Sequence, residues 1–130
     1  MERRLVAGIG LTWEPPPSEL LEAAGASWDV RVEPFAHPDL GRATRAALDR
    51  HLKELPGARV LDLAELPIGG RDATRVLLHA PLPDGPACLE EWRVDAGGHI
   101  VLLRGRSPVA AYDGLADAFA AAAGSLRLLT

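Results

Sequence analysis

The chain has 130 residues, 48% of them apolar and 25% charged, and carries a formal charge of −4. That length suits one domain with one real core, and the composition excludes a disordered chain. The acidic balance leaves no electrostatic footprint for nucleic acid, and a lone cysteine, Cys88, rules out an intrachain disulfide framework or a multi-cysteine zinc site.

The opening apolar run, Leu5 to Leu11, is broken by Gly8 and Gly10, too short for a signal peptide. A membrane span needs about 20 apolar residues, and no stretch supplies them. The expectation is a soluble, cytoplasmic protein. The chain has no Asn, no Gln and thirteen Arg against one Lys, Lys53, a usage that suits a GC-rich bacterial source.

Leu5, Ala7, Ile9, Leu11 and Trp13 alternate as in a strand over residues 4–13, which Pro15-Pro16-Pro17 stops. Ser18 is a candidate N-cap for a short helix, Glu19 to Ala24, that Gly25 ends. Trp28 to Phe35 alternates again, with Trp28, Val30 and Val32 on one face. Pro38 then falls in the first turn of a helix whose stripe runs through Leu40, Thr44, Ala47, Leu48, Leu52 and Leu55 to Pro56-Gly57.

Four strands are predicted next, at Val60–Leu66, Asp72–Ala80, Cys88–Val94 and His99–Arg104. Gly69-Gly70 and Gly97-Gly98 supply hairpin turns, and Pro81–Pro86 reads as a loop. A last helix, Val109 to Ala123, carries Tyr112, Leu115, Ala116, Phe119 and Ala123 on one face; Gly124 stops it, and Leu126–Leu129 makes a short strand. Two-glycine turns join antiparallel strands, so residues 1–130 are expected to form a single α+β domain.

The run Leu66-Pro67-Ile68-Gly69-Gly70-Arg71-Asp72-Ala73-Thr74-Arg75 resembles the central hairpin of PsbP-like, DcrB-related proteins. Three features extend the likeness over about residues 28–130: Leu55-Pro56-Gly57 leading straight into a strand at Ala58, Glu91-Trp92-Arg93-Val94 crossing Gly97-Gly98 to His99–Leu103, and the closing helix with Tyr112 and Phe119. The resemblance implies a curved antiparallel sheet of about six strands with two main helices packed on it. It also implies use in binding, since the family's members include a photosystem subunit, a regulator that binds a small GTPase, and secretion chaperones that hold apolar effector segments.

No residues assemble into a nucleophile, base and oxyanion hole, and residue 13 is Trp where a dinucleotide loop after Gly8 and Gly10 needs glycine. His79 and His99 are the only two-histidine metal candidate, and they would need a carboxylate such as Glu91 or Asp95. Cys88 reads as a small buried hydrophobe. Glu90 and Glu91 point to opposite faces of their strand and are expected either to be solvated or to meet Arg71, Arg75 or Arg104 across the sheet. No enzyme, cofactor or metal is expected.

Neither sheet face is cleanly polar. Val76, Leu78, Trp92, Val94, Ile100 and Leu102 form one apolar set. Leu77, Leu89, Val101 and Leu103 form another, mixed with Arg75, His79, Glu91, Arg93 and His99. Either a helix or the N-terminal segment covers this second face, or it is an apolar groove rimmed by charge. The groove reading makes the protein an adaptor or chaperone-like module that buries a partner's apolar segment. Leu77, Val101 and Leu103 would be the floor, with Arg75 and Arg93 as orienting charges. The expected partner is a protein or peptide, such as a secreted effector's apolar segment, with no membrane or nucleic acid. The alternative is a structural subunit that works by homo-oligomerisation or by assembly into a larger complex, with a small-ligand binder or enzyme as a third and lesser reading.

Overall fold

The computed structural model describes residues 1–6, 8–34 and 39–129. Its elements are β1 (Glu2–Val6), β2 (Ile9–Trp13), α1 (Ser18–Ala24), β3 (Ser27–Pro34), α2 (Leu40–Glu54), β4 (Arg59–Ile68), β5 (Arg71–Leu82), β6 (Gly85–Asp95), β7 (His99–Pro108), α3 (Val109–Gly124) and β8 (Arg127–Leu129). The architecture is α+β: a five-stranded antiparallel sheet ordered β3-β7-β6-β5-β4, and a small sheet ordered β1-β2-β8.

Local chemistry accounts for most boundaries. The Asp39 carboxylate accepts the Arg42 amide at 2.8 Å and so caps the start of α2. Gly69 and Gly70 both have positive φ, which L side chains rarely adopt, and they close the tight β4–β5 hairpin with Ile68 opposite Arg71. A Cβ on Gly69 would also stand 3.1 Å from the Leu126 carbonyl, so that turn packs directly on the chain leading into β8.

Three expected boundaries change. The period-two run at the N-terminus is a hairpin rather than one strand, turning at Gly8 so that Val6 pairs with Ile9. Ser18 is inside α1 and caps nothing; Pro17 precedes the helix. Pro81–Pro86 is largely strand, because Leu82 pairs with Gly85 across a two-residue turn. The expectations for Ala7, Phe35 and Pro38 lie outside the described residues.

Both faces of the large sheet are covered over its central strands β5, β6 and β7, while β4 is largely exposed. Cross-strand register puts Arg75, Trp92, Leu103 and Val30 in one row on the α3 side, with Leu77 and Glu90 in the next. Phe119 of α3 packs there against Trp28, stacked at 5.9 Å, with Trp28 tilted against Trp92 at the same centroid distance. Such aromatic pairs add about 0.5–1.5 kcal/mol each beyond their area. A Cβ on Gly105 would lie 2.9 Å from ring atoms of Phe119, so the glycine is what lets the ring reach the sheet. Leu11, Trp13 and Leu126, from the small sheet and the turn before it, complete this core.

On the opposite side, α2 lies over Val76, Leu78 and Leu89, and Thr44 meets Thr74 hydroxyl to hydroxyl at 2.7 Å. The covered-face reading therefore holds for the second set of sheet residues. That set also splits between the faces. Leu77, Val101 and Leu103 face α3, whereas Leu89, Glu91 and Arg93 face α2.

Candidate functional site

Adjacent residues of central strand β6 place one carboxylate on each side of the sheet, and both are 1% exposed. On the α3 side, Glu90 accepts hydrogen bonds from Arg75 Nε at 2.6 Å and from the Tyr112 hydroxyl at 2.7 Å. Arg75 also bridges outward to Asp62 at 2.6 Å. Burial, followed by the Glu90 carboxylate, pushes the Tyr112 hydroxyl well above its usual range.

On the α2 side, Glu91 Oε1 lies 3.0 Å from His51 Nε2 and 2.9 Å from Arg93 Nη1, and Oε2 lies 3.4 Å from Arg104 Nη1. Burial acts to raise the Glu91 pKa, but the His51 and Arg93 contacts together outweigh it and hold the carboxyl at about 2. Glu91 therefore stays a carboxylate and Tyr112 stays neutral near neutral pH, so neither exchanges a proton there as a general acid or base must. Both networks are built to be satisfied where they stand. Their job is to tie α2, α3 and β4 to the sheet.

These networks also locate the expected docking residues. Val101 and Leu103 are 0% exposed and Leu77 is 9% exposed, all beneath α3. Arg93 is on the other face, 4% exposed and bound to Glu91. Arg75 is committed to Glu90 and Asp62. The five do not form a surface, because four share one covered face and the fifth belongs to the opposite one. His79 and His99 share the α3 side of the sheet but lie near its opposite ends. Among the described residues, no group of three or more His, Cys, Asp or Glu side chains converges as metal ligands would. Cys88 is buried, and desolvation raises its thiol pKa.

The open surface lies beside α2. α2 crosses β5 and β6 but stops short of β4, leaving a cleft of about 490 Å³ between helix and edge strand. Leu48 and Leu63 are its apolar walls, and Thr44 and Thr74 its floor. Arg42 and Arg45 stand on the helix side, with Glu65 on the strand side. A second hollow of about 480 Å³ continues it around the start of α2, sharing Asp39, Gly41, Glu65 and Thr74. Sequence reasoning missed this site, although one signal was present: Val60-Leu61-Asp62-Leu63-Ala64 is more apolar than an alternating strand requires.

No family model matches the chain, and no curated protein matches it in sequence. Solved structures match it in fold. The Pseudomonas aeruginosa protein of unknown function PA94 superposes with a TM-score of 0.72 at 13% identity, over 96% of this chain and 83% of that one. Cyanobacterial PsbP (CyanoP) from Synechocystis sp. PCC 6803 gives 0.65 at 10% identity, over 98% and 92% of the two chains. The chain has the Mog1p/PsbP-like fold. The Ran-binding protein Mog1p of Saccharomyces cerevisiae shares it too, with a TM-score of 0.60 at 12% identity over 95% of this chain and 81% of Mog1p.

Proposed function

We propose that the protein is a non-enzymatic protein-binding module, adaptor or chaperone-like, that holds an apolar segment of a partner in the cleft between α2 and β4. The carrying observation is where apolar surface is left uncovered. Helices and the small sheet bury both faces of the central strands, while Leu48 and Leu63 line an open cleft bordered by arginine and glutamate. Such a site suits a peptide with an apolar face and charges of both signs at its flanks. Mog1p, which shares the fold, binds Ran, so this scaffold is compatible with a protein partner.

Charge reversal at the cleft border tests the reading. Arg42 and Arg45 are exposed, so Arg42→Glu with Arg45→Glu is expected to leave stability within about 1 kcal/mol of the parent. Partner capture from the native cells should fall sharply. Unchanged capture by a folded double variant would refute the site.

A further inference from the structure

The two edges of the large sheet are finished differently. β3 carries Asp29, Arg31 and Glu33 and ends at Pro34, and the Arg4 guanidinium donates to the Val30 carbonyl. Charge, proline and cover are the usual guards against strand addition. β4 pairs only with β5 among the described residues, and over its middle it presents Val60, Leu61 and Leu63 at 40%, 51% and 50% exposure.

The backbone of β4 is also open. Ile68 and Arg71 close a two-residue turn, so they exchange hydrogen bonds, and bonded pairs alternate from there along the hairpin. The N–H and C=O of Leu63 and Glu65 consequently point away from β5, towards no strand among the described residues. A bulge between Val60 and Asp62 and the proline at Pro67 bound this open stretch.

We propose that β4 is a self-pairing edge, joining two copies of the chain antiparallel about a two-fold axis through Leu63. Residues directly opposite each other must share a face, so a two-fold normal to the sheet passes through a residue. An axis at Asp62 would oppose two carboxylates, and one at Ala64 would need an N–H and C=O that already face β5 as the partner of Arg75. The axis at Leu63 sets leucine against leucine and Asp62 against Ala64, with no like charges opposed. It also uses the outward N–H and C=O of Leu63 as a doubly bonded pair. This self-complementarity identifies the occupant as a second copy. The pairing shares Leu63 and Glu65 with the strand wall of the cleft, but it rests on the outward backbone of β4 and leaves out Arg42 and Arg45 on the helix side.

Light scattering and disulfide trapping on the full chain test it together. The parent is expected at twice the 13.8 kDa chain mass, and Leu63→Lys at the single mass with unchanged circular dichroism. Leu63→Cys should form an intermolecular disulfide on mild oxidation, while Glu65→Cys should not, because the axis separates the two copies of position 65 by four residues along the strand. A monomeric parent at high concentration would overturn the proposal. So would position 65 trapping as readily as position 63. The Arg42/Arg45 charge reversal should leave the dimer intact, so the two readings fail separately.

Discussion

Replacing Glu91 with Gln probes the α2-side network directly. In the folded chain this carboxyl titrates at about 2 instead of 4.5. Each pKa unit is worth about 1.4 kcal/mol, so the ionised Glu91 contributes roughly 3 kcal/mol of pH-dependent stability. The folded pKa is depressed, so the contribution is complete above pH 4.5 and is lost as pH falls from there towards 2. Gln cannot supply the charge, and Arg93 is then left buried without its counter-charge. Breaking one side of a buried pair costs about 3–5 kcal/mol. Urea unfolding of both proteins across a pH series measures the difference, with every other carboxylate common to the two. At neutral pH the variant should be weaker by about 3–5 kcal/mol, and the gap should narrow by about 3 kcal/mol through the acid range. Parallel stability curves below pH 4.5 would show that Glu91 is not held as described.

Gly105→Ala forces a methyl against Phe119 and should cost about 1–3 kcal/mol in denaturant unfolding, the ordinary penalty for overpacking. Tyr112→Phe should cost about 1.5–3 kcal/mol, because it removes a hydrogen bond to a buried carboxylate. Tyr112 is the chain's one tyrosine, so ultraviolet titration of the parent should show no tyrosinate until well above the usual range. Leu103→Glu should abolish folding, read by loss of near-ultraviolet dichroism, since position 103 is fully buried beneath α3.

The sequence made the scaffold legible where strong local chemistry acts. Alternation found β3 and the central strands, paired glycines found the β4–β5 and β6–β7 turns, and the three- and four-residue spacing found α2 and α3. It also placed Glu90 and Glu91 on opposite faces with arginines across the sheet, which the Arg75 and Arg104 contacts match. Faces were harder to assign, for a geometric reason. Two residues lie between the paired Leu82 and Gly85 and four between the paired Asp95 and Ile100, so an even position on β5 lies opposite an odd one on β6 and an even one on β7. Grouping odd-numbered residues across strands therefore mixed the two sides and put Arg93 beside Leu103. The cleft was illegible for a different reason. It depends on how far α2 reaches across the sheet, which no period within the helix records.

Site-specific photo-crosslinking in native cells tests the central claim most directly, with a benzophenone side chain at position 45 beside the cleft and at position 120 on exposed α3 as the comparison. The account predicts a discrete adduct at position 45 whose added mass belongs to a different protein, and none at position 120. Equal labelling at the two positions, or no adduct at position 45, would contradict a binding role for the cleft.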